Sequence, residues 1–342
     1  MAVARLLVVL VAALAVLAAA PEPPQRAGTA GQHGGPSHEV ECSVEAGAGG
    51  CGGAGGTAPQ LVLSNGVRMP QVGFGTAGMR GDETRRNVRA ALRAGFRHFD
   101  GAQATEWYDD AALGAELRAA LDARTVRREE LFVTSKVHPS RLGDAYAAVL
   151  EMLATLGLEQ LDLVLLHYES CWEGLAGCEG KLATWRDAWP ALERLYDEGK
   201  VRAIGLSNAE ASTVVAATEQ VRVTPHVIQN WMDPFHPDGE VRSLCELHGI
   251  RYTAYSSLGG QWEYRGERVN LVKQSALLRQ VAKRHGVGWA EVALRWAMQH
   301  GAAVLPRSGS AAHTAANARL LAGGPDLLTP AELRAIDGLA RE

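Results

Sequence analysis

Leu131-Phe132-Val133-Thr134-Ser135-Lys136-Val137 is the stretch from which the fold can be read. It is a short run rich in β-branched and apolar residues, and an amphipathic stretch follows it. The same unit recurs along the chain after Gln60. Further runs stand at Gln71 to Gly75, Arg97 to Asp100, Leu161 to His167, Val201 to Leu206, Val227 to Asn230, Tyr252 to Ser256 and Ala303 to Pro306. Between them lie helical patterns of roughly ten to eighteen residues. Asp144 to Leu156 is one, and Trp185 to Glu198 is another, closed by Gly199 as expected at a helix C-terminus. Strands alternating with helices predict βαβ units and a parallel sheet. Eight repeats without a long linker favour a closed (β/α)8 TIM barrel over an open doubly wound sheet. The fold class is α/β, with additions at both ends of the barrel. A hairpin is expected before the first strand, where Ser64-Asn65-Gly66 joins Leu61-Val62-Leu63 to Val67-Arg68-Met69. Extra C-terminal helices follow the last strand, one opening at Thr329-Pro330-Ala331-Glu332 with a capping box and Pro at its first position.

The barrel is expected to span residues 59–342, because the chain before it has a different character. Arg5 is the first charge, Leu6 to Ala20 is unbroken apolar sequence, and Ala18-Ala19-Ala20 precedes Pro21. That pattern predicts a signal peptide over residues 1–20 and a secretory route, to the ER lumen or outside the cell. The run is shorter than the roughly 20 residues a span requires, so no stable membrane insertion is expected after its removal. Without signal function the chain would be cytoplasmic. Residues 21–58 are rich in Gly, Ala and Pro, bury too little to offset chain entropy, and read as a flexible leader. In an oxidising compartment Cys42 would pair with Cys51, and Cys171 with Cys178; five reduced thiols are the alternative. Cys245 falls in a helical pattern and reads as a buried thiol. No His or Cys cluster has zinc spacing, so no metal is expected. A net charge of -4 with mixed signs offers no basic stripe for nucleic acid. A small-molecule partner is the default, and nothing in the helices calls for an oligomer.

In such a barrel the chemistry comes from the C-terminal ends of several strands. Asp100 ends the second, Lys136 lies near the end of the third and His167 ends the fourth. Singly, each has a structural explanation: a turn cap, an ion pair, a satisfied core imidazole. Together, three titratable groups on successive strand ends describe a site.

Five blocks in this order resemble the aldo-keto reductase superfamily. They are Arg97-His98-Phe99-Asp100, Leu131 to Lys136, Leu161 to His167, Gly199 to Asn208, and Thr253-Ala254-Tyr255-Ser256. The resemblance runs from Gln60 to about Leu320. It implies reduction of aldehydes or ketones by NADPH, with NADH possible, and a general acid built from a Tyr beside a Lys. Carbonyl reduction requires a proton at the oxygen that becomes negative, so such a donor is needed. The resemblance makes Lys136 the group that lowers the Tyr pKa, Asp100 its counter-charge and His167 the group that orients the carbonyl. The family's Tyr stands five residues after the Asp, where this chain has Thr105; allowing about two added residues brings Tyr108 to the acid's place, with Trp107 as the alternative.

The resemblance also implies nucleotide contacts. Ser207, Asn208 and Gln229 would read the carboxamide, Tyr255 would stack on the ring, and Gly75, Thr76 and Ser256 would lie beside it. Arg307 and Ser308 would meet the 2'-phosphate and Asn317 the adenine. His313 stands where an Arg is usual and Ala316 where an acid is usual, which weakens the preference for NADPH. Trp107, Trp172 and Trp262 are expected to wall the substrate pocket. The competing reading is a nucleotide-binding barrel with a sensing or partner-binding role and little turnover.

Overall fold

The structure, a computed structural model, describes residues 58–323 and 328–341. The expected signal peptide, nearly all of the expected leader and the expected Cys42–Cys51 pairing lie outside the described residues.

Eight parallel strands form one sheet in chain order. They are β3 (Phe74–Gly75), β4 (His98–Asp100), β5 (Phe132–Val137), β6 (Leu163–Leu166), β7 (Ile204–Ser207), β8 (Val227–Trp231), β9 (Arg251–Tyr255) and β10 (Ala303–Val304). The ring closes where Val72 bridges Val304 in parallel, with Gly73 N donating to Val304 O and Val304 N to Gln71 O, each at 2.8 Å. The eight predicted runs are therefore the eight strands, several shorter than expected. At the seam the first strand comes so near its neighbours that a Cβ on Gly73 would lie 2.6 Å from Leu305 and 2.9 Å from His98. Only glycine fits there.

One helix follows each strand from β3 to β8: α1 (Gly81–Arg93), α2 (Asp110–Asp122), α3 (Ala145–Leu156), α4 (Trp185–Asp197), α5 (Ala211–Glu219) and α6 (Gly239–Leu247). The helix after β4 carries the local signals of its start, since Asp109 Oδ1 accepts from Ala112 N at 2.9 Å. After β9 the chain is longer, passing through α7 (Gly260–Tyr264), α8 (Leu271–Gln274), α9 (Ala276–His285) and α10 (Trp289–Gln299). Beyond β10 come α11 (Ala311–Ala318) and α12 (Pro330–Asp337), the latter with the predicted reciprocal cap between Thr329 and Glu332.

The hairpin of β1 (Gln60–Val62) and β2 (Arg68–Pro70) turns through Gly66 at φ +85°. Its Leu63 and Met69 pack on Phe132, Leu163, Leu165, Ala203, Val227 and Ala303, side chains inside the barrel. Each such burial is worth about 1.5–3 kcal/mol. The hairpin stoppers the N-terminal end of the barrel. The C-terminal end stays open.

Candidate active site

Asp100, Lys136 and His167 come from β4, β5 and the end of β6, and only 3%, 1% and 6% of their surfaces are exposed. A buried ammonium is costly unless paired. Lys136 Nζ donates to Asp100 Oδ1 at 2.5 Å and to Gly101 O at 2.8 Å, while Asp100 Oδ2 accepts from Gln229 Nε2 at 2.9 Å. Tyr108 reaches the same place from the loop of residues 101–109. Its ring centroid lies 4.9 Å from Lys136 Nζ and 5.9 Å from the His167 ring. Thr105 is exposed at the crest of that loop. Asp100, Trp107, Tyr108 and His167 line one cavity of about 600 Å³.

The electrostatics correct one expectation. Burial pushes the Tyr108 phenol well above its ordinary value, and the Asp100 charge adds to the effect. Burial outweighs the Lys136 charge here: the ammonium is engaged by Asp100 and Gly101, and no hydrogen bond joins it to the Tyr108 hydroxyl among the described residues. Tyr108 therefore holds its proton at neutral pH. Burial, and then the Lys136 charge, hold His167 well below the usual imidazole range. His167 is neutral, and its Nδ1 is buried without a partner among the described residues.

The same cavity is lined by Gly75, Ser207, Asn208, Gln229, Tyr255, Ser256 and Arg307. Tyr255 donates to Asn208 Oδ1 at 2.6 Å, and Asn208 Nδ2 donates to His167 O at 2.9 Å. Asn208 and Ser256 both hold left-handed backbone, φ +54° and +52°. Strain of that kind gathers at binding surfaces. The donor set fits the implied nucleotide. Ser257 Oγ, on the cavity wall, is buried with no partner, and Gln229 Oε1 has none among the described residues. Gly78, at φ +74°, lies under Arg307 with its Cβ position 3.5 Å from the guanidinium, leaving a shallow basic cradle.

Several expected residues stand elsewhere. Thr76 spends its hydroxyl on Asp100 O at 2.8 Å and is off the cavity wall. Ser308 Oγ donates to Ser310 O and accepts from Ser310 N, bracing the turn before α11. His313 and Asn317 ride on α11, outside the cavity lining. Trp172 is 43% exposed and packs on Tyr168, with ring centroids 4.6 Å apart. Trp262 turns away because its Nε1 donates to Asp233 at 3.0 Å. Of the three expected tryptophans only Trp107 lines the cavity. Sequence reasoning missed Tyr168, Gln261, Tyr264 and Asn270 on its wall. Tyr168 could have been found, as it follows His167 directly; the others come from the long β9 to α9 segment, whose path no local pattern predicts. Cys171 and Cys178 are bridged, and Cys245 is a buried thiol. Among the described residues no cluster could hold a metal ion, and no helix is long and apolar enough to cross a membrane.

Residues 71–341 match the Aldo/keto reductase family. The chain is 35% identical over 282 residues to a 9,11-endoperoxide prostaglandin H2 reductase of Trypanosoma cruzi, covering 82% of this chain and 90% of that protein. It is 31% identical over 301 residues to Aldo-keto reductase family 1 member A1 of Rattus norvegicus, with 83% and 90% covered. It is 33% identical over 249 residues to the glyoxal reductase of Bacillus subtilis, with 72% and 81% covered. With the parallel barrel, the buried Asp100–Lys136 pair and Tyr108 and His167 at one cavity, these matches establish that the chain belongs to the aldo/keto reductase family.

Proposed function

We propose that Tyr108 is the proton donor and His167 the carbonyl-orienting group of this reductase. The chain is an NAD(P)H-dependent oxidoreductase that turns aldehydes or ketones into alcohols. When bound, the nucleotide supplies a hydride to the carbonyl carbon. Tyr108 donates its phenolic proton to the carbonyl oxygen as that oxygen gains charge. The Lys136 ammonium, held by Asp100, stabilises the phenolate left behind. Neutral His167 donates one hydrogen bond to the same oxygen and fixes its angle. Ser207, Asn208 and Gln229 hold the carboxamide, Tyr255 supports the ring and Arg307 meets the 2'-phosphate, which favours NADPH. The observation that carries the reading is Tyr108 and His167 facing one cavity with Lys136 behind them.

The test is loss of NADPH absorbance with a panel of aldehydes and ketones. Oxidation of NADPH by at least one substrate class is expected. Nucleotide binding with no turnover across the panel would replace this reading with the sensing barrel.

The same proposal places the protein in the secretory pathway. It is supported by the apolar run from Leu6 to Ala20 and by the Cys171–Cys178 bridge. A mature chain beginning near Pro21 in N-terminal sequencing is the expected result; an intact N-terminus in cytosol overturns it.

A further inference from the structure

We propose that His138 and Glu106 form a latch that sets Tyr108 against Lys136, which makes both of them positioning residues for the proton transfer. The inference rests on the reading of Tyr108 as the proton donor. It starts from the alternation of β5, whose side chains at every second residue share a face. Lys136 stands on that strand and His138, two positions on, directly follows its last residue, while Glu106 and Tyr108 are two apart in the facing loop. Each pair meets its counterpart: Lys136 Nζ lies over the Tyr108 ring at 4.9 Å, and His138 Nε2 lies 3.0 Å from Glu106 Oε1.

The tautomer follows from the neighbours. Ser140 N donates to His138 Nδ1 at 3.2 Å, so that nitrogen is an acceptor and the proton sits on Nε2. His138 Nε2 then donates to Glu106 Oε1. His138 is buried on its side of the contact and Glu106 half-buried on its own, so the bond is largely shielded from water. His138 N also approaches Gln103 Oε1 at 3.4 Å, and Gln103 N donates to Lys136 O at 3.0 Å. The loop is thereby tied to the strand that carries Lys136.

The other flank of the loop is held separately. Arg80 donates to Thr105 O at 2.5 Å and to Glu106 O, and Gly78 N donates to Trp107 O at 2.6 Å. Those contacts fix the backbone of the loop against the β3–α1 connection. Gly101 N donates to Thr134 O and Gln103 N to Lys136 O, which tie the start of the loop to β5, whereas the latch holds its later part, beside Tyr108. Without it, Tyr108 keeps its fold but not its distance to Lys136, and a displacement of an ångström costs up to about a hundredfold in rate.

The test uses Glu106→Ala, His138→Ala, Glu106→Gln and Tyr108→Phe in the full chain, with kcat, carbonyl KM and NADPH Kd measured for each. Glu106→Ala and His138→Ala are expected to lower kcat at least tenfold, with NADPH Kd within about threefold of the parent. Glu106→Gln keeps an oxygen that accepts from Nε2 and is expected to restore kcat to within about threefold of the parent. A merely structural role would not give that rescue at unchanged NADPH Kd. Parental kcat in both alanine variants overturns the latch, as does a Glu106→Gln loss as deep as that of Glu106→Ala. If His138→Ala fails to fold, the Glu106 pair decides alone. Parental turnover in Tyr108→Phe overturns the acid assignment instead, so the two failures are distinguishable.

Discussion

Asp100 and Lys136 meet at 2.5 Å inside the barrel mouth, and the second oxygen of the same carboxylate accepts from Gln229 at 2.9 Å. One buried group thus holds both the ammonium beside Tyr108 and an amide of the cavity wall. Removing either charge leaves the other buried and uncompensated, at about 3–5 kcal/mol. Asp100→Asn and Lys136→Met are each expected to lower the melting temperature and abolish most turnover. The double variant is expected to recover stability in thermal melts but not activity; a double variant as unstable as the singles would contradict the pairing argument.

Tyr108→Phe removes the phenolic proton and little else. It is expected to lower kcat by about 10²–10⁴-fold, the usual contribution of a positioned acid. NADPH Kd, read by fluorescence quenching, should hold. Trp107→Phe, one residue away on the same wall, is expected to change kcat only a few-fold.

Arg307 is the basic side chain of the cavity rim. Ser308 is occupied by Ser310, so the guanidinium is expected to carry the 2'-phosphate interaction. A charge-assisted hydrogen bond is worth about 1.5–3 kcal/mol, or roughly tenfold to a hundredfold in affinity. Arg307→Ala should raise KM for NADPH by that factor and leave KM for NADH nearly unchanged. Equal effects on both nucleotides would assign the phosphate contact elsewhere.

Asp110, the first residue of α2, is buried and accepts from Ser135 Oγ at 2.7 Å. Burial raises its carboxyl to about 7 from an ordinary 3.8, against the pull of Ser135 and Lys136. Between those values the folded protein keeps a proton that the unfolded chain has lost. This group's contribution to stability is therefore greatest in acid and declines as pH rises through 7. Asp110→Asn removes that slope. Its melting temperature relative to the parent should be more favourable at pH 8 than at pH 5; the reverse order would refute the raised value.

The Cys171–Cys178 bridge closes a loop of sequence separation 7 immediately beyond Tyr168. Loop-closure entropy assigns it about 2–3 kcal/mol. Cys171→Ser with Cys178→Ser is expected to lower the melting temperature and raise KM for the carbonyl, since Trp172 and Tyr168 pack together on this loop. NADPH Kd should be unaffected, because none of the residues proposed to hold the nucleotide lies on this loop.

Much of this architecture is legible in single stretches of sequence. Asp100, Lys136 and His167 stand at strand ends, where chain position alone decides which face of the barrel a residue can reach. The Thr329 cap and the Ser64-Asn65-Gly66 turn are equally local. Ser308, His313 and Trp262 are not, because their surroundings depend on partners distant in sequence or on competing local bonds. Ser308 has the chemistry of a phosphate ligand, yet the backbone of Ser310 claims it. Trp262 has the bulk of a pocket wall, yet Asp233 draws its indole away.

What the chain specifies on its own is the alternation of eight strands and helices, and the charged residues at their ends, because periodicity and capping act between near neighbours. Which residue of the β4–α2 loop faces Lys136 is of another kind. Between Asp100 and α2 the sequence offers Thr105, Trp107 and Tyr108 with no periodicity to rank them. The choice is made when the loop is fastened on one side to Arg80 and Gly78 and on the other to His138, which turns Tyr108 toward Lys136. Those partners are distant in sequence and meet the loop only once the barrel has closed.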